Sequence, residues 1–308
     1  MKRISVLLGI LLLASVGVAQ GAYRVSSKIG TGKLKHMSQI AVGKDDVVGA
    51  LEEGGRLLFF SPEGELKKTL DTGMKNTGAL AVDDAGNWCV FSTLTKKRKV
   101  KVGARIRTVQ SPVGVRCKVF SPEGKELEER EFKNLKSARA ARRVGDKLAV
   151  ADLTSKSIVI MDWKSGKETG RIKKGLRLCC GIFDFSVAPD ETLIVANLGA
   201  FKVQRFDLNG KLLLEFGKRG RDLTDFQGCC NPVSVAYLPD GRIVSAEKDP
   251  SRIKILDAKG KNPVQIEGVE ELVRSCTFIP LAVDSKGNIY LGANAKGYIV
   301  KCAPEEAP

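Results

Sequence analysis

Residues 179–216 read CCGIFDFSVAPDETLIVANLGAFKVQRFDLNGKLLLEF, and residues 229–266 read CCNPVSVAYLPDGRIVSAEKDPSRIKILDAKGKNPVQI. These two stretches follow one pattern, and residues 276–302 repeat part of it as CTFIPLAVDSKGNIYLGANAKGYIVKC. Each copy has a cysteine eleven residues before its first turn, namely Cys180, Cys230 and Cys276. Cysteine is therefore a repeated position, and the repeat defines the structural unit.

The same unit recurs along the rest of the chain as strand, tight turn, strand, polar loop, strand, glycine turn and strand. Its last turn contains glycine, as in SPEGE at 61–65, SPEGK at 121–125 and LNGK at 208–211. Glycine is favoured there because hairpin turns need positive φ. These glycines are 42 to 60 residues apart. A period of this length with four short strands is typical of a β-propeller blade.

We therefore predict an all-β fold, a six-bladed β-propeller formed by residues 22–303. The last blade lacks a fourth strand, whereas YRVSSKIG at 23–30 has no blade of its own. This N-terminal strand is expected to complete the last blade and close the ring, which removes exposed sheet edges. The six blades are predicted to begin near Ser38, Thr77, Ala138, Cys180, Cys230 and Cys276.

The chain starts with a basic pair and an apolar run that is shorter than a bilayer-spanning helix. This layout predicts a signal peptide over residues 1–19, cut near Ala19. We expect an exported protein, periplasmic or secreted, with no integral membrane segment after cleavage. The composition, 43% hydrophobic and 28% charged, excludes a disordered chain.

The formal net charge of +16 favours anionic partners. Blade two contains a basic insertion at about residues 95–113, TKKRKVKVGARIRTVQSPV, whose alternation predicts a protruding hairpin. It is either a solvated loop or an anion-binding arm. The partner would be a protein or an anionic polymer at this basic face of a monomer, with nucleic acid a weaker alternative. The candidate anion-binding residues are Lys96, Lys97, Arg98, Lys99, Arg105 and Arg107.

The complete pattern resembles the NHL-repeat six-bladed propellers. It consists of an apolar strand, a PDG or DxxGN turn, a strand ending in Asp, Asn or Glu, a short strand and an NGK or EGK turn. The resemblance covers nearly all of the mature chain, and the doublet in GCCNP at 228–232 is similar to exported bacterial members. It implies a fold rather than an activity, because such propellers include protein binders, RNA binders, lyases and hydrolases.

In such a propeller the first strand of each blade lines the central channel, so the residues before it surround one mouth of the ring. Five cysteines are expected to converge there. His36, the only histidine, aligns beside the same position in blade one. A mixed sulfur and imidazole set would suit copper, zinc or iron. The candidate metal ligands are Cys179, Cys180, Cys229, Cys230, Cys276 and His36.

Disulfides are the main alternative, because an exported chain with eight cysteines ordinarily pairs them. Cys179 with Cys229, or Cys180 with Cys230, would join blades four and five. Cys89 and Cys117 would form a bridge or remain buried fillers, and Cys302 has no assigned partner. Polar residues that end second strands are expected to bond loop backbone, namely Asp152, Asn197, Glu247 and Asn294.

No catalytic residue is assigned, because the sequence lacks CxxC, HExxH, GxSxG and P-loop motifs. The first hypothesis is an exported, non-catalytic binding or scaffold protein whose basic, cysteine-lined channel mouth holds a metal ion or an anionic partner. The second is a thiol- or metal-dependent redox enzyme or electron carrier that uses the same cysteines. The third is an interaction module stapled by disulfides.

Overall fold

The computed structural model describes residues 22–103, 105–274 and 276–305. The signal peptide predicted for residues 1–19 lies outside this range. Within it, the strands form six antiparallel four-stranded sheets. The six sheets are arranged as the blades of a propeller, which confirms the predicted fold class. No helix among the described residues is long and apolar enough to cross a membrane.

The strands are numbered along the chain, beginning with β1 (Tyr23–Ile29). Blade one contains β2 (Met37–Val42), β3 (Val48–Glu52), β4 (Arg56–Phe60) and β5 (Leu66–Asp71). Blade two contains β6 (Thr77–Val82), β7 (Trp88–Val102), β8 (Arg105–Phe120) and β9 (Glu126–Phe132). Blade three contains β10 (Ala140–Val144), β11 (Lys147–Asp152), β12 (Ser157–Asp162) and β13 (Glu168–Ile172).

Blade four contains β14 (Phe185–Val187), β15 (Leu193–Asn197), β16 (Lys202–Phe206) and β17 (Leu212–Phe216). Blade five contains β18 (Ser234–Tyr237), β19 (Ile243–Glu247), β20 (Arg252–Leu256) and β21 (Val264–Gln265). Blade six contains β22 (Leu281–Val283), β23 (Ile289–Ala293) and β24 (Tyr298–Pro304). In the described part of the chain, the short helical segments are two 3₁₀ turns, Lys44–Asp46 and Leu198–Ala200, and the helix α1 (Glu270–Val273).

The ring is closed by β1, which pairs antiparallel with β24 from Tyr23 opposite Pro304 to Ile29 opposite Ile299. Blade six therefore has the order β1-β24-β23-β22, and the predicted closure is confirmed. The glycines of the turns between third and fourth strands have φ from +67° to +98°, as the turn pattern requires: Gly64, Gly124, Gly166, Gly210 and Gly260.

The hydrophobic core lies between blades rather than at one centre. Among the described residues, five clusters of buried side chains each join two neighbouring blades, and the sixth joins blades four, five and six. For example, Phe60 of blade one packs with Tyr290 and Ile299 of blade six. Inner strands such as β3 are buried along their whole length, whereas outer strands such as β5 alternate between half-buried and exposed. Every blade therefore depends on both of its neighbours.

The first strands of blades four to six begin later than predicted. β14, β18 and β22 start four or five residues after Cys180, Cys230 and Cys276, so these cysteines lie in the loops that precede the strands. We call these the leading loops. In blades five and six, Pro232 and Pro280 stand between the cysteine and the strand. Proline has no N–H to donate to a neighbouring strand, which delays the start of pairing.

Leading loops share one face of the ring with the turns between second and third strands. Asn294, just after β23, shows this because its Oδ1 accepts from the N–H of Met37, 2.7 Å away. We call this the thiol face. The basic insertion lies in the same kind of turn, where β7 and β8 continue past the sheet and pair as far as Val102 opposite Arg105. We call residues 95–113 the basic arm; its basic side chains are exposed.

Candidate functional site

Polar side chains at the ends of second strands hold the leading loops in place. Asn197 Oδ1 accepts from the Arg177 N–H at 2.8 Å, and its Nδ2 donates to the Gly175 carbonyl at 2.8 Å. Glu247 Oε2 accepts from the Gln227 N–H at 2.8 Å. Asp152 makes an equivalent contact in blade three, whereas Asn294 of blade six accepts from the N–H of Met37 at the start of blade one. The backbone-bonding role expected for these side chains is therefore observed.

The leading loop of blade five is also fixed by a buried ionic cluster. Arg252 Nε lies 2.8 Å from Glu247 Oε1, and Lys254 Nζ lies 3.0 Å from the same oxygen. Both cations donate to the Asp225 carbonyl at 2.7 Å. Burial lowers the pKa of Lys254 to about 8, partly offset by Glu247. The loop that ends in Cys229 and Cys230 therefore rests on a rigid support.

Asn231 anchors the backbone directly beside Cys230. Its side chain is fully buried and donates to the carbonyls of Gln227, at 2.6 Å, and Lys248, at 2.8 Å. Its Oδ1 accepts from the Lys248 N–H at 2.8 Å. A buried amide with each of these groups bonded fixes a single loop conformation. The position of the Cys230 sulfur is therefore set by the fold.

Three sulfur atoms meet at the thiol face. Cys179 and Cys230 form a disulfide with a Cα–Cα distance of 6.5 Å. Cys180 is free, and its Sγ lies 3.3 Å from that of Cys179 and 3.9 Å from that of Cys230. All three ligand atoms lie within 4.8 Å of one another. We call these residues the sulfur cluster.

The disulfide joins blades four and five, as expected, but neither predicted pairing is the observed one. The difference arises from a tight turn at the doublet, which the Ile182 N–H closes by donating to the Cys179 carbonyl at 3.1 Å. Within this turn Cys180 has φ +55° and Gly181 has φ +68°. The side chains of Cys179 and Cys180 therefore point in different directions. Cys179 bonds to Cys230 of blade five, whereas Cys180 remains exposed.

Cys180 lines a cavity of about 300 Å³ in the channel mouth. The cavity collects polar side chains from blades one, three, four and six, and its lining includes His36, Glu53, Arg139, Cys180, Cys276 and Asn294. His36, Cys180 and Cys276 therefore share one cavity, although only Cys180 of these belongs to the sulfur cluster. Glu53 and Arg139 were not identified from the sequence, because they occupy no repeated position.

The other two candidate thiols of the mouth stand apart from the sulfur cluster. Cys276 Sγ donates to Asp249 Oδ2 at 3.4 Å, and this hydrogen bond raises the pKa of the Cys276 thiol. Cys229 is exposed in a separate cleft beside Arg219 and Arg221. The five predicted cysteines therefore divide into a cluster of three and two peripheral thiols.

The remaining cysteines are buried and unpaired. Cys89 and Cys117 lie on the neighbouring strands β7 and β8 but form no bridge. They fill the core between blades two and three, and burial raises the pKa of Cys117 well above its usual value. Burial likewise raises the pKa of Cys302 to about 12. At neutral pH the thiols of Cys117 and Cys302 are therefore protonated and inert.

A buried polar group lies deeper in the channel. In the sequence, Asp184 comes directly after residues that line the cavity. Its Oδ1 lies 3.4 Å from both Gln39 Nε2 and Arg142 Nη2. Arg142 also lines a second cavity, which the first strands of all six blades surround. Burial raises the pKa of Asp184 to about 6, partly offset by Arg142. This group was not predicted from the sequence, because its members come from three blades.

The spacing of the sulfur cluster fits a thiophilic metal ion, but its disulfide would have to be reduced before all three sulfurs could bind. Sulfur atoms bound about 2.3 Å from one metal ion lie about 4 Å apart, and Cys180 Sγ is 3.9 Å from Cys230 Sγ. However, Cys179 and Cys230 are joined, so both would bind a metal ion only after reduction. Among residues 22–103, 105–274 and 276–305, no histidine, carboxylate or further cysteine joins these three sulfurs as a fourth ligand.

No family model matches the sequence, and no curated protein is similar to it. Among solved structures, 1138 chains match this one. One of them, described as "Streptogramin B lyase structure", has a TM-score of 0.60 at 11% identity and covers 92% of this chain and 98% of its own. At this identity the likeness shows the fold alone: the chain is a six-bladed β-propeller, an architecture that hosts many functions.

Proposed function

We propose that this chain is an exported NHL-type propeller that binds a soft metal ion, copper(I) in the first place, through the sulfur cluster. The observation that carries the proposal is the convergence of Cys179, Cys180 and Cys230 within 4.8 Å. Their leading loops belong to two blades and are held by buried polar groups, so the sulfurs are brought together by the fold. The chain acts as a binding protein and performs no reaction of its own in this role.

The donor set favours copper(I) over zinc. Thiolate ligands select copper(I), zinc and iron–sulfur clusters, but a structural zinc site has four protein ligands. The described part of the chain supplies three sulfurs and no fourth ligand within reach. A three-sulfur site suits copper(I), which accepts low coordination numbers. Because the Cys179–Cys230 disulfide must first be reduced, binding would depend on the redox conditions.

The proposal is tested by measuring copper(I) binding to the reduced mature chain under anaerobic conditions, by competition with a chromophoric chelator. We expect one copper(I) per chain. Cys180→Ser should weaken binding by about 100-fold or more, because loss of one of three ligands costs at least as much as loss of an outer-shell partner, which costs about 10- to 100-fold. Cys229→Ser is the matched control, since it alters the neighbouring doublet outside the sulfur cluster, and it should bind as the unaltered chain does. Absence of binding in the reduced chain, or unchanged binding by Cys180→Ser, would refute the proposal.

A further inference from the structure

We infer that the cavity in the channel mouth also binds a small zwitterionic disulfide, of the amino-acid type, which exchanges with the thiols of the sulfur cluster through Cys180. This activity goes beyond metal binding and does not rest on it, because it uses the metal-free chain. The structure holds the product of such an exchange, the Cys179–Cys230 disulfide, beside a free thiol that faces the cavity.

Cys180 is the thiol placed to meet a disulfide in the cavity. It is exposed and unpaired, it lines the cavity, and its sulfur is in contact with those of Cys179 and Cys230. Cys276 also lines the cavity, but its thiol donates a hydrogen bond to Asp249 and is not part of the sulfur cluster. Cys180 therefore connects the cavity to the pair that forms the disulfide.

The exchange starts from the reduced chain and balances in three steps. The Cys180 thiolate attacks one sulfur of the bound disulfide RSSR, forms Cys180–S–S–R and releases RS⁻, which takes up the proton that Cys180 lost. The Cys230 thiolate then attacks the Cys180 sulfur and releases the second RS⁻, which takes up the proton of Cys230. Finally the Cys179 thiolate attacks the Cys230 sulfur and breaks the Cys180–Cys230 bond, and the departing Cys180 thiolate takes up the proton that Cys179 lost. The net reaction oxidises two thiols of the chain and reduces RSSR to two RSH.

The charged lining of the cavity defines the class of disulfide. The Arg139 guanidinium is held at the cavity by its Nε, which donates to the Gly181 carbonyl at 3.1 Å. Glu53 lines the same cavity. Within the part of the chain that the structure describes, neither side chain forms an ion pair. Arg139 is suited to a carboxylate and Glu53 to an ammonium group, and a volume of about 300 Å³ admits a small ligand.

The experiment follows oxidation of the reduced, metal-free chain in the presence of a chelator. The oxidants are cystine, which carries carboxylates and ammonium groups, and cystamine, which carries only ammonium groups. Disulfide formation is measured by alkylation and mass spectrometry, and the denatured chain gives the intrinsic reactivity of each oxidant. Relative to that reference, the folded chain should prefer cystine by about tenfold, because the cavity positions it beside Cys180.

Variants assign the preference to named residues. Cys180→Ser should slow formation of the Cys179–Cys230 disulfide by about tenfold, whereas Cys229→Ser, which removes an exposed free thiol outside the cavity, should leave the rate unchanged. Arg139→Gln should abolish the preference for cystine by slowing oxidation by cystine about tenfold more than oxidation by cystamine. The double variant Cys179→Ser/Cys230→Ser should accumulate a mixed disulfide on Cys180.

Two results would overturn the inference: a folded chain with no preference for cystine beyond that of the denatured chain, or Cys180→Ser oxidised as fast as the unaltered chain. Both are independent of copper(I) binding, because the assay contains no metal. A chain that exchanges with cystine but binds no copper(I) would refute the proposed function and leave this inference standing.

Discussion

At the scale of single residues, Asp184 is the side chain whose environment opposes its charge most clearly. Its carboxyl group is 1% exposed, and its Oδ2 has no hydrogen-bond partner among the described residues. Desolvation raises its pKa to about 6, although Arg142 favours the charged form. The folded state therefore holds the proton of Asp184 more tightly than the unfolded state does.

This difference predicts a pH dependence of stability. The unfolded carboxyl ionises near its ordinary pKa of 3.8 and the folded one near 6, so the unfolded state loses its proton first as the pH rises. Between about pH 4 and pH 6 Asp184 therefore lowers the free energy of unfolding, by about 3 kcal/mol in total. Asp184→Asn, which is uncharged throughout, should be free of this loss. Urea unfolding of Asp184→Asn and of the unaltered chain at pH 4 and pH 7 measures this change in the free energy of unfolding.

The matched control is Asp84→Asn, which changes an exposed carboxylate in the turn of blade two. The stability difference between this control and the unaltered chain should vary little with pH. If the free energies of unfolding of Asp184→Asn and of the unaltered chain changed in parallel between pH 4 and pH 7, burial of Asp184 would have no effect on its ionisation in the protein.

At the scale of elements, strands and loops differ in how far the sequence determines them. The four-strand period and the turn glycines predicted six blades and the closing strand, because both reflect local backbone requirements. The start of β14 at Phe185 was missed, since the Cys180 turn depends on contacts with blade five. The Cys179–Cys230 pairing was missed for the same reason. Arg139 reaches the cavity through its contact with Gly181, 42 residues away, and spacing cannot reveal such a contact.

The basic arm is the element most clearly separated from the core. Its strands pair with each other beyond the sheet, and Ile106 near its tip is 72% exposed. We expect replacement of its six candidate residues by Gln to abolish binding to heparin at physiological salt, because each contact with an anionic polymer depends on charge. The thermal midpoint should change little, since exposed substitutions alter stability by about 0.5 kcal/mol or less. Heparin affinity chromatography and thermal unfolding measure the two effects.

A control with the same charge change separates the arm from net charge alone. Six exposed lysines lie at the opposite face, in the turns between third and fourth strands: Lys125, Lys164, Lys167, Lys211, Lys259 and Lys261. Their replacement by Gln should leave most heparin binding intact. Equal losses in the two variants would show that the arm has no special role.

At the scale of the whole molecule, the ring is closed by pairing and reinforced by a covalent link. Every core cluster is shared by neighbouring blades, so no blade has a complete core of its own. Pairing of β1 with β24 joins the two ends of the chain, and the Cys179–Cys230 disulfide joins blades four and five. The sulfur cluster depends on the packing of blades four and five, whereas the cavity takes its lining from blades on both sides of the closure.

Closure can be tested at Ile29, which ends β1 and is 1% exposed in the cluster between blades one and six. Ile29→Ala should lower the free energy of unfolding by about 3 kcal/mol, because it leaves a cavity at the junction. Arg24→Ala, an exposed change in the same strand, should cost about 0.5 kcal/mol or less. Because all blades share their cores, denaturant unfolding should remain one transition with a lower midpoint. A second transition would show that the blades unfold separately, and an unchanged midpoint would show that the packing of Ile29 at the junction does not stabilise the ring.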